Sequence, residues 1–230
     1  MKKYSLPTQE QCFEIIKEYH VPKHIVKHSL AVAKLAVFLA EKLQEKTTAV
    51  DVELVYRAGL LHDIARVCDF KDLDYGRFEQ TVTEQDKAKW QRLKERYKDI
   101  GHEDAAYELL REKWPVLALT IKKHRYMAML AENTRPNTWE EKLLYYADMR
   151  VMHDRIVPLG TRLEEAHKRN VHFHGTEAQR RINTAKVDPL IYRLETEIFD
   201  KIKLDPDEVT AEQVESYLKC QRAAFFQEFR

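Results

Sequence analysis

Five stretches of the chain carry apolar residues at steps of three and four, the spacing of one helical face. Over residues 22–45 the stripe is Ile25, His28, Val32, Leu35, Leu39 and Leu43. Over residues 51–66 it is Val55, Ala58, His62 and Ala65, with Asp63 beside it and Gly59 one turn back. A glycine there suits close backbone approach. Residues 102–114 align His102, Ala105, Ala106, Leu109 and Leu110, and Gly101 suits the helix start. Residues 115–124 align Leu117, Ile121 and His124. Residues 139–152 align Leu144, Asp148, Val151 and Met152, behind Thr138 and Glu141 at capping-box spacing.

Other segments complete a helical reading. Residues 8–19 predict a short first helix, and residues 84–98 another with Trp90, Leu93 and Tyr97 as a narrow stripe. Thr161 with Glu164 marks a further start. Two long helices are expected over 176–202 and 206–226, the first broken or kinked at Pro189. The chain holds 5 glycines and 7 prolines, and no long alternating run suggests a strand. An all-α fold follows.

Each of the five stripes contains a residue that does not belong in oil. His28, His62, Asp63, His102, His124 and Asp148 sit in or beside apolar faces. A buried imidazole or carboxylate is costly without a partner, and aspartate is almost never fully buried alone. One shared ligand for all six is the simplest resolution, and a metal ion suits the donor types.

The order His28, His62–Asp63, Asp148 resembles the HD-domain metal-dependent phosphohydrolases. The flanks agree: Val26-Lys27-His28-Ser29 opens a helix, and Ala58-Gly59-Leu60-Leu61 precedes His62-Asp63-Ile64. His102 and His124 fall between that pair and Asp148, as in the six-ligand, dinuclear branch of the superfamily. No Gly-Tyr-Pro motif is present. The pair is followed by Ile64-Ala65-Arg66, where the family often has Ile-Gly-Lys. The resemblance spans about residues 22–155. It implies an HD-type helical bundle over residues 1–155 with a helical insert at about 67–100. A helical extension over 156–230 would pack on the same bundle.

The resemblance also implies chemistry. His28, His62, Asp63 and Asp148 would hold one divalent transition metal, with Asp63 bridging to a second held by His102 and His124. Iron or manganese is favoured, and nickel, cobalt or zinc also suit imidazole with carboxylate. The expected reaction is metal-assisted hydrolysis of a small phosphorylated substrate, a nucleotide or another phosphoester. Asp63, Arg66 and Lys123 are the catalytic candidates, and Lys122, Arg125 and Arg66 the candidates for phosphate contact. Two other readings stand beside it: a diiron oxygenase of the same superfamily, and a non-catalytic regulatory ligand-binding domain. A second His-Asp pair, His153–Asp154, lacks the small apolar approach and is expected to lie outside the metal centre.

Composition narrows the partners. Lys plus Arg number 39 and Asp plus Glu 38, which gives no field for generic nucleic-acid or membrane binding. Cys12, Cys68 and Cys220 form no Cys-x-x-Cys pair, so neither a zinc finger nor a disulfide framework is indicated. The opening residues do not read as a signal peptide, no long apolar run suggests a membrane span, and a cytoplasmic setting is expected. The insert helix carries Lys87, Lys89, Arg92, Lys94, Arg96 and Lys98, which suits a solvated face or a wall over the metal site.

Overall fold

The computed structural model describes residues 4–46, 48–70, 75–169 and 176–221. Ten α-helices carry the fold over these residues: α1 (Gln9–Glu18), α2 (Lys23–Glu45), α3 (Val52–Leu61), α4 (Glu84–Arg96) and α5 (His102–Leu110), followed by α6 (Pro115–Lys122), α7 (Trp139–Asp148), α8 (Leu159–Arg169), α9 (Glu177–Ile202) and α10 (Ala211–Gln221). The architecture is all-α, as the stripes predict, apart from one small antiparallel hairpin, β1 (Val151–Met152) with β2 (Arg155–Ile156).

Local chemistry starts several of these helices. Thr8 with Gln11, Thr83 with Asp86 and Thr138 with Glu141 form capping boxes at the heads of α1, α4 and α7. Asp51 caps α3 by accepting from the amides of Glu53 and Leu54.

α2 is the central helix. It packs against α3, α7, α9 and α10. It approaches α3 closely at Gly59. A Cβ on Gly59 would stand 2.6 Å from the Ala33 Cα, so only glycine lets the two backbones meet. That contact draws the end of α3, and with it His62 and Asp63, against the face of α2 that carries His28.

Two local expectations are corrected in full, and a third, a break or kink at Pro189, only as to the break. The stripe over residues 139–152 is not one helix: α7 stops at Asp148, and Val151 and Met152 enter the hairpin. His153 turns that hairpin with φ 59°, a left-handed conformation that no continuing α-helix contains. α9 continues through Pro189 without a break. The last helix spans Ala211–Gln221 after a short 3-10 turn at Pro206–Glu208. Residues 222–226 of the expected helix lie outside the described residues.

Buried polar groups tie the C-terminal helices to the bundle. Arg150 is 2% exposed. Its guanidinium donates to the Val157 carbonyl at 2.6 Å, the Tyr146 hydroxyl at 2.6 Å and the Pro206 carbonyl at 3.1 Å. Tyr126, two residues after His124, donates to Asp188 of α9 at 2.6 Å, and the same carboxylate meets His167 of α8 at 2.9 Å. α8 and α9 are thereby pinned beside the residues of interest. Among the described residues, no helix is long and apolar enough to cross a membrane.

Candidate metal centre

The structure brings all six sequence candidates to one place. His28 comes from the first turns of α2, His62 and Asp63 from the end of α3, and His102 from the first residue of α5. His124 follows α6, and Asp148 ends α7. His62, Asp63, His102 and His124 are buried; His28 and Asp148 are nearly so. Among the described residues, the triads His28–His62–Asp63, His62–His124–Asp148 and Asp63–His102–His124 each gather their donor atoms within 4.8 Å of one another.

Asp63 stands at the middle and faces two ways. Its Oδ2 lies 4.0 Å from His28 Nε2 and 3.8 Å from His62 Nε2. Its Oδ1 lies 3.0 Å from His102 Nε2 and 3.7 Å from His124 Nε2. Asp148 Oδ1 closes the first half, 2.9 Å from His28 Nε2 and 3.8 Å from His62 Nε2.

Every histidine is held by its other nitrogen. His62 Nδ1 meets the Gly59 carbonyl at 2.9 Å, and His124 Nδ1 the Ile121 carbonyl at 2.5 Å. His28 Nδ1 meets the His153 carbonyl at 2.7 Å, and His102 Nδ1 meets Asp69 at 2.5 Å. A carbonyl or carboxylate can only accept, so each Nδ1 carries the proton. With Nδ1 so held, each Nε2 is aimed at the centre, where a metal could replace any proton it carries, the arrangement a metal-ligating imidazole requires.

The donors fit a metal. Among the described residues, His62 Nε2 is buried and has no hydrogen-bond partner. An orphaned buried acceptor of this kind costs about 1–3 kcal/mol. His102 Nε2 and His124 Nε2 stand 3.0 Å apart, so two lone pairs face each other unless something positive lies between them.

The electrostatics agree. Burial, opposed only in part by Asp63 and Asp148, pushes the His62 pKa down to about 4, so this ring is neutral at ordinary pH. At His102, burial and Arg66 push down, yet Glu103 and Asp63 outweigh them and the pKa rises to about 10. That half of the site therefore demands a positive charge, and a metal would take the place of the proton. Burial opposes the ionisation of Asp63 and Asp148. Even so, His62, Arg66 and His102 hold the first well below the ordinary carboxylate range, and His28, His62 and His124 hold the second below it.

The cationic candidates divide. Arg66 lines the site, with Nη1 3.0 Å from His102 Nε2 and 3.7 Å from Asp69. Arg125 lines the same cleft and pairs with Glu103 at 3.2 Å and Asp104 at 2.8 Å. Lys122 and Lys123 are not brought there, which corrects the placement expected of them. Lys123 donates to Glu141 at 2.8 Å, beside the capping box of α7. Lys122 pairs with Asp104 at 3.0 Å. Lys122 ends α6 and Lys123 is its C-cap, whereas His124, one residue later, joins the centre.

His153–Asp154 sits on the hairpin turn with both side chains exposed. What His153 contributes to the centre is its carbonyl, on His28. Residues that the stripes did not reveal are Asp69 and Glu103. Asp69 accepts from the His102 amide at 3.1 Å as well as from its ring. It thus caps α5, where Gly101 has no side chain to offer. Its only mark in the sequence is its place a few residues beyond Asp63.

His28, Asp63, His102, His124 and Asp148 open onto a cleft of about 1690 Å³, with His62 buried behind them. Its lining includes Phe70, Phe78 and His24, and Arg162, His167, Arg169 and Arg180 of α8 and α9.

Comparison with known proteins places these features. The chain is 25% identical over 167 residues to a tRNA (cytidine(56)-2'-O)-methyltransferase of Picrophilus torridus, covering 73% of this chain and 43% of that protein. It is 44% identical over 57 residues to an uncharacterized protein of Methanocaldococcus jannaschii, covering 25% of this chain and 33% of that one. The chain thus spans less than half the length of either relative. No solved structure matches it. The HD domain family matches residues 25–151, which is more than half of the chain and runs from α2 through the whole donor set to β1. HD domains are commonly metal-dependent hydrolases, and with this match the chain belongs to the HD domain family.

Proposed function

We propose that this protein is a metal-dependent phosphohydrolase or phosphodiesterase acting on a nucleotide or another small phosphoester. The two-faced carboxylate of Asp63 carries the reading. One oxygen faces His28 and His62, the other faces His102 and His124, and Asp148 completes the first set. A carboxylate so placed suits two ions, one on each oxygen. Four imidazoles with two carboxylates suit iron or manganese, and also nickel, cobalt or zinc.

Ions held there would supply a coordinated water acidic enough to react near neutral pH and a positive clamp for phosphoryl oxygens. The remaining work falls to the chain. The Nδ1 contacts of the four histidines keep their Nε2 atoms aimed inward. Arg66 stands where charge builds on the phosphoryl group, and Arg125 lines the approach. Attack by water oxygen on phosphorus breaks the bond to the leaving oxygen, which departs with a proton. Buried apolar residues such as Leu61 and Ile64 back the site and keep its dielectric low.

Metal analysis of the purified protein, joined to a screen of nucleotides and phosphoesters, tests this. One to two transition-metal ions per protomer and metal-dependent release of phosphate or a phosphoester product are expected. Asp63→Ala should remove metal and turnover together. Full metal occupancy in that variant would sink the two-ion assignment. Iron content with oxygen-dependent turnover that ignores phosphoesters would replace hydrolysis with oxygenation.

A further inference from the structure

The hydrolysis proposed above releases a leaving oxygen with a proton, and the cleft wall carries a donor for it. Three histidines outside the metal-donor set line the cleft: His24, His153 and His167. Burial pulls the pKa of His24 down, which suits it poorly to carry a proton. His153 turns the hairpin with its side chain exposed. Among the described residues, His167 is the one of the three paired to a carboxylate, that of Asp188 on α9, at 2.9 Å.

The fold delivers this ring to the cleft. Leu163, Ala166 and His167 line it at steps of three and four, one face of α8. The first turns of α8 are anchored where Arg162 Nε donates to the Val151 carbonyl at 2.8 Å. Toward its end, the His167 ring meets the Tyr126 ring edge to face with centroids 5.8 Å apart, and Tyr126 stands two residues beyond His124. Tyr126 donates to Asp188 Oδ1 at 2.6 Å, while Asp188 Oδ2 takes His167 Nε2. Engaged on both oxygens, the carboxylate holds the ring in one orientation. It can only accept, so Nε2 carries a proton. Nδ1 is then the nitrogen that can meet a ligand in the cleft, and Asp188 stabilises the ring when Nδ1 is protonated as well. Histidine exchanges protons near neutral pH, and a carboxylate behind the ring is a recurrent way to orient it.

We propose that His167 gives its Nδ1 proton to the leaving oxygen, with Asp188 as its positioning residue. This rests on the phosphohydrolase reading of the centre. The water oxygen bonds to phosphorus and the bond to the leaving oxygen breaks. That oxygen keeps the electron pair and takes the Nδ1 proton. The proton lost by the attacking water recharges the ring, so protons balance over the cycle. Arg66 and Arg125 cannot do this work, because a guanidinium does not give up its proton in a protein. The gain is largest for esters of an alcohol, such as a sugar hydroxyl, and smallest for a group that departs as a stable anion.

The test compares leaving groups on the manganese-loaded full chain. p-Nitrophenyl and phenyl esters are supplied as phosphate monoesters and as methyl phosphodiesters. p-Nitrophenolate departs without help, whereas phenolate, a base about as strong as tyrosinate, needs the proton. H167N and H167Q should lower kcat/KM for the phenyl ester by about 100-fold or more and leave the p-nitrophenyl ester within about tenfold of the parent. Both should keep the parent's manganese content and Tm. D188N should likewise lose more on the phenyl ester than on the p-nitrophenyl ester. Equal losses on the two esters in the His167 variants, or no loss, overturn the acid role and leave hydrolysis in place. Loss of manganese in both variants overturns it too, since His167 would then serve the fold. A parent that turns over neither ester in either form removes the phosphohydrolase reading, and the acid role falls with it.

Discussion

Asp69 offers the sharpest test of how the centre is organised. Its two oxygens perform separate tasks: Oδ1 caps the His102 amide at 3.1 Å and Oδ2 holds the His102 ring at Nδ1, 2.5 Å away. Asp69→Asn is nearly isosteric and keeps a carbonyl for one of them. If that carbonyl stays on the amide, the new NH2 faces a ring N–H, donor against donor. The imidazole escapes by moving its proton to Nε2, which then points a proton at the metal. Loss of such an outer partner weakens metal binding by roughly 10–100-fold, about 1.4–2.7 kcal/mol. Asp69→Ala loses the cap as well, a further cost of about 0.5–2 kcal/mol in stability. For a chain of this size that lowers Tm by about 1–8 °C. Manganese titration of metal-free protein, read with thermal scans, separates the two tasks. The expected result is one weakened ion and one retained in Asp69→Asn, with a lower Tm only in Asp69→Ala. Parent affinity for both ions in Asp69→Asn would refute the tautomer argument. Equal weakening of both ions would show that Asp69 acts through the fold and not through His102.

Three further outcomes follow from the geometry. Gly59→Ala should lose about 1–3 kcal/mol net of its helix-propensity gain, because the new Cβ meets the Ala33 backbone at 2.6 Å; a denaturant midpoint at or above the parent's contradicts this. His153→Gly should retain metal, since only the carbonyl is used and glycine accepts φ 59°, whereas His153→Val should be strained and bind metal more weakly; metal loss in the glycine variant would make the side chain a ligand. Glu103 has its pKa lowered to about 2, because His102, His124 and Arg125 outweigh its burial. Its folded pKa lies below the unfolded value of 4.5, so it contributes stability above pH 4.5 that is lost as pH falls toward 2. Glu103→Gln should flatten that part of the acid unfolding curve in metal-free protein, and an unchanged slope would exclude the pairing as its source.

Much of the centre was legible because helical period is a local property. His28 shares a stripe with Ile25 and Val32, and His62 shares one with Val55 and Ala58, so each declares its face within a few residues. A polar donor on an apolar face conflicts with burial wherever it lies, and that conflict needs no tertiary information to be seen. Gly59 beside the pair likewise announced a close backbone approach, and Ala33 is what it approaches. The all-α class followed from the same periods.

What the sequence by itself did not decide lies in contacts between distant segments. Asp69 meets His102 across 33 residues, and the His153 carbonyl meets His28 across 125. Neither leaves a period, because a carboxylate on a 3-10 turn and a carbonyl on a hairpin belong to no stripe. The stripe rule also ran on past Asp148, where the left-handed turn at His153 ends any helix. Lys122 and Lys123 were placed near phosphate by their closeness to His124 in the chain. Adjacent helical residues diverge by about 100°, and the structure sends those two to Asp104 and Glu141. Arg162, Arg169 and Arg180 reach the cleft from α8 and α9, helices whose docking includes the Tyr126–Asp188–His167 contacts. Residue type and local period select which side chains carry chemistry. Packing alone decides which of them share a cavity, because that depends on the path of the whole chain.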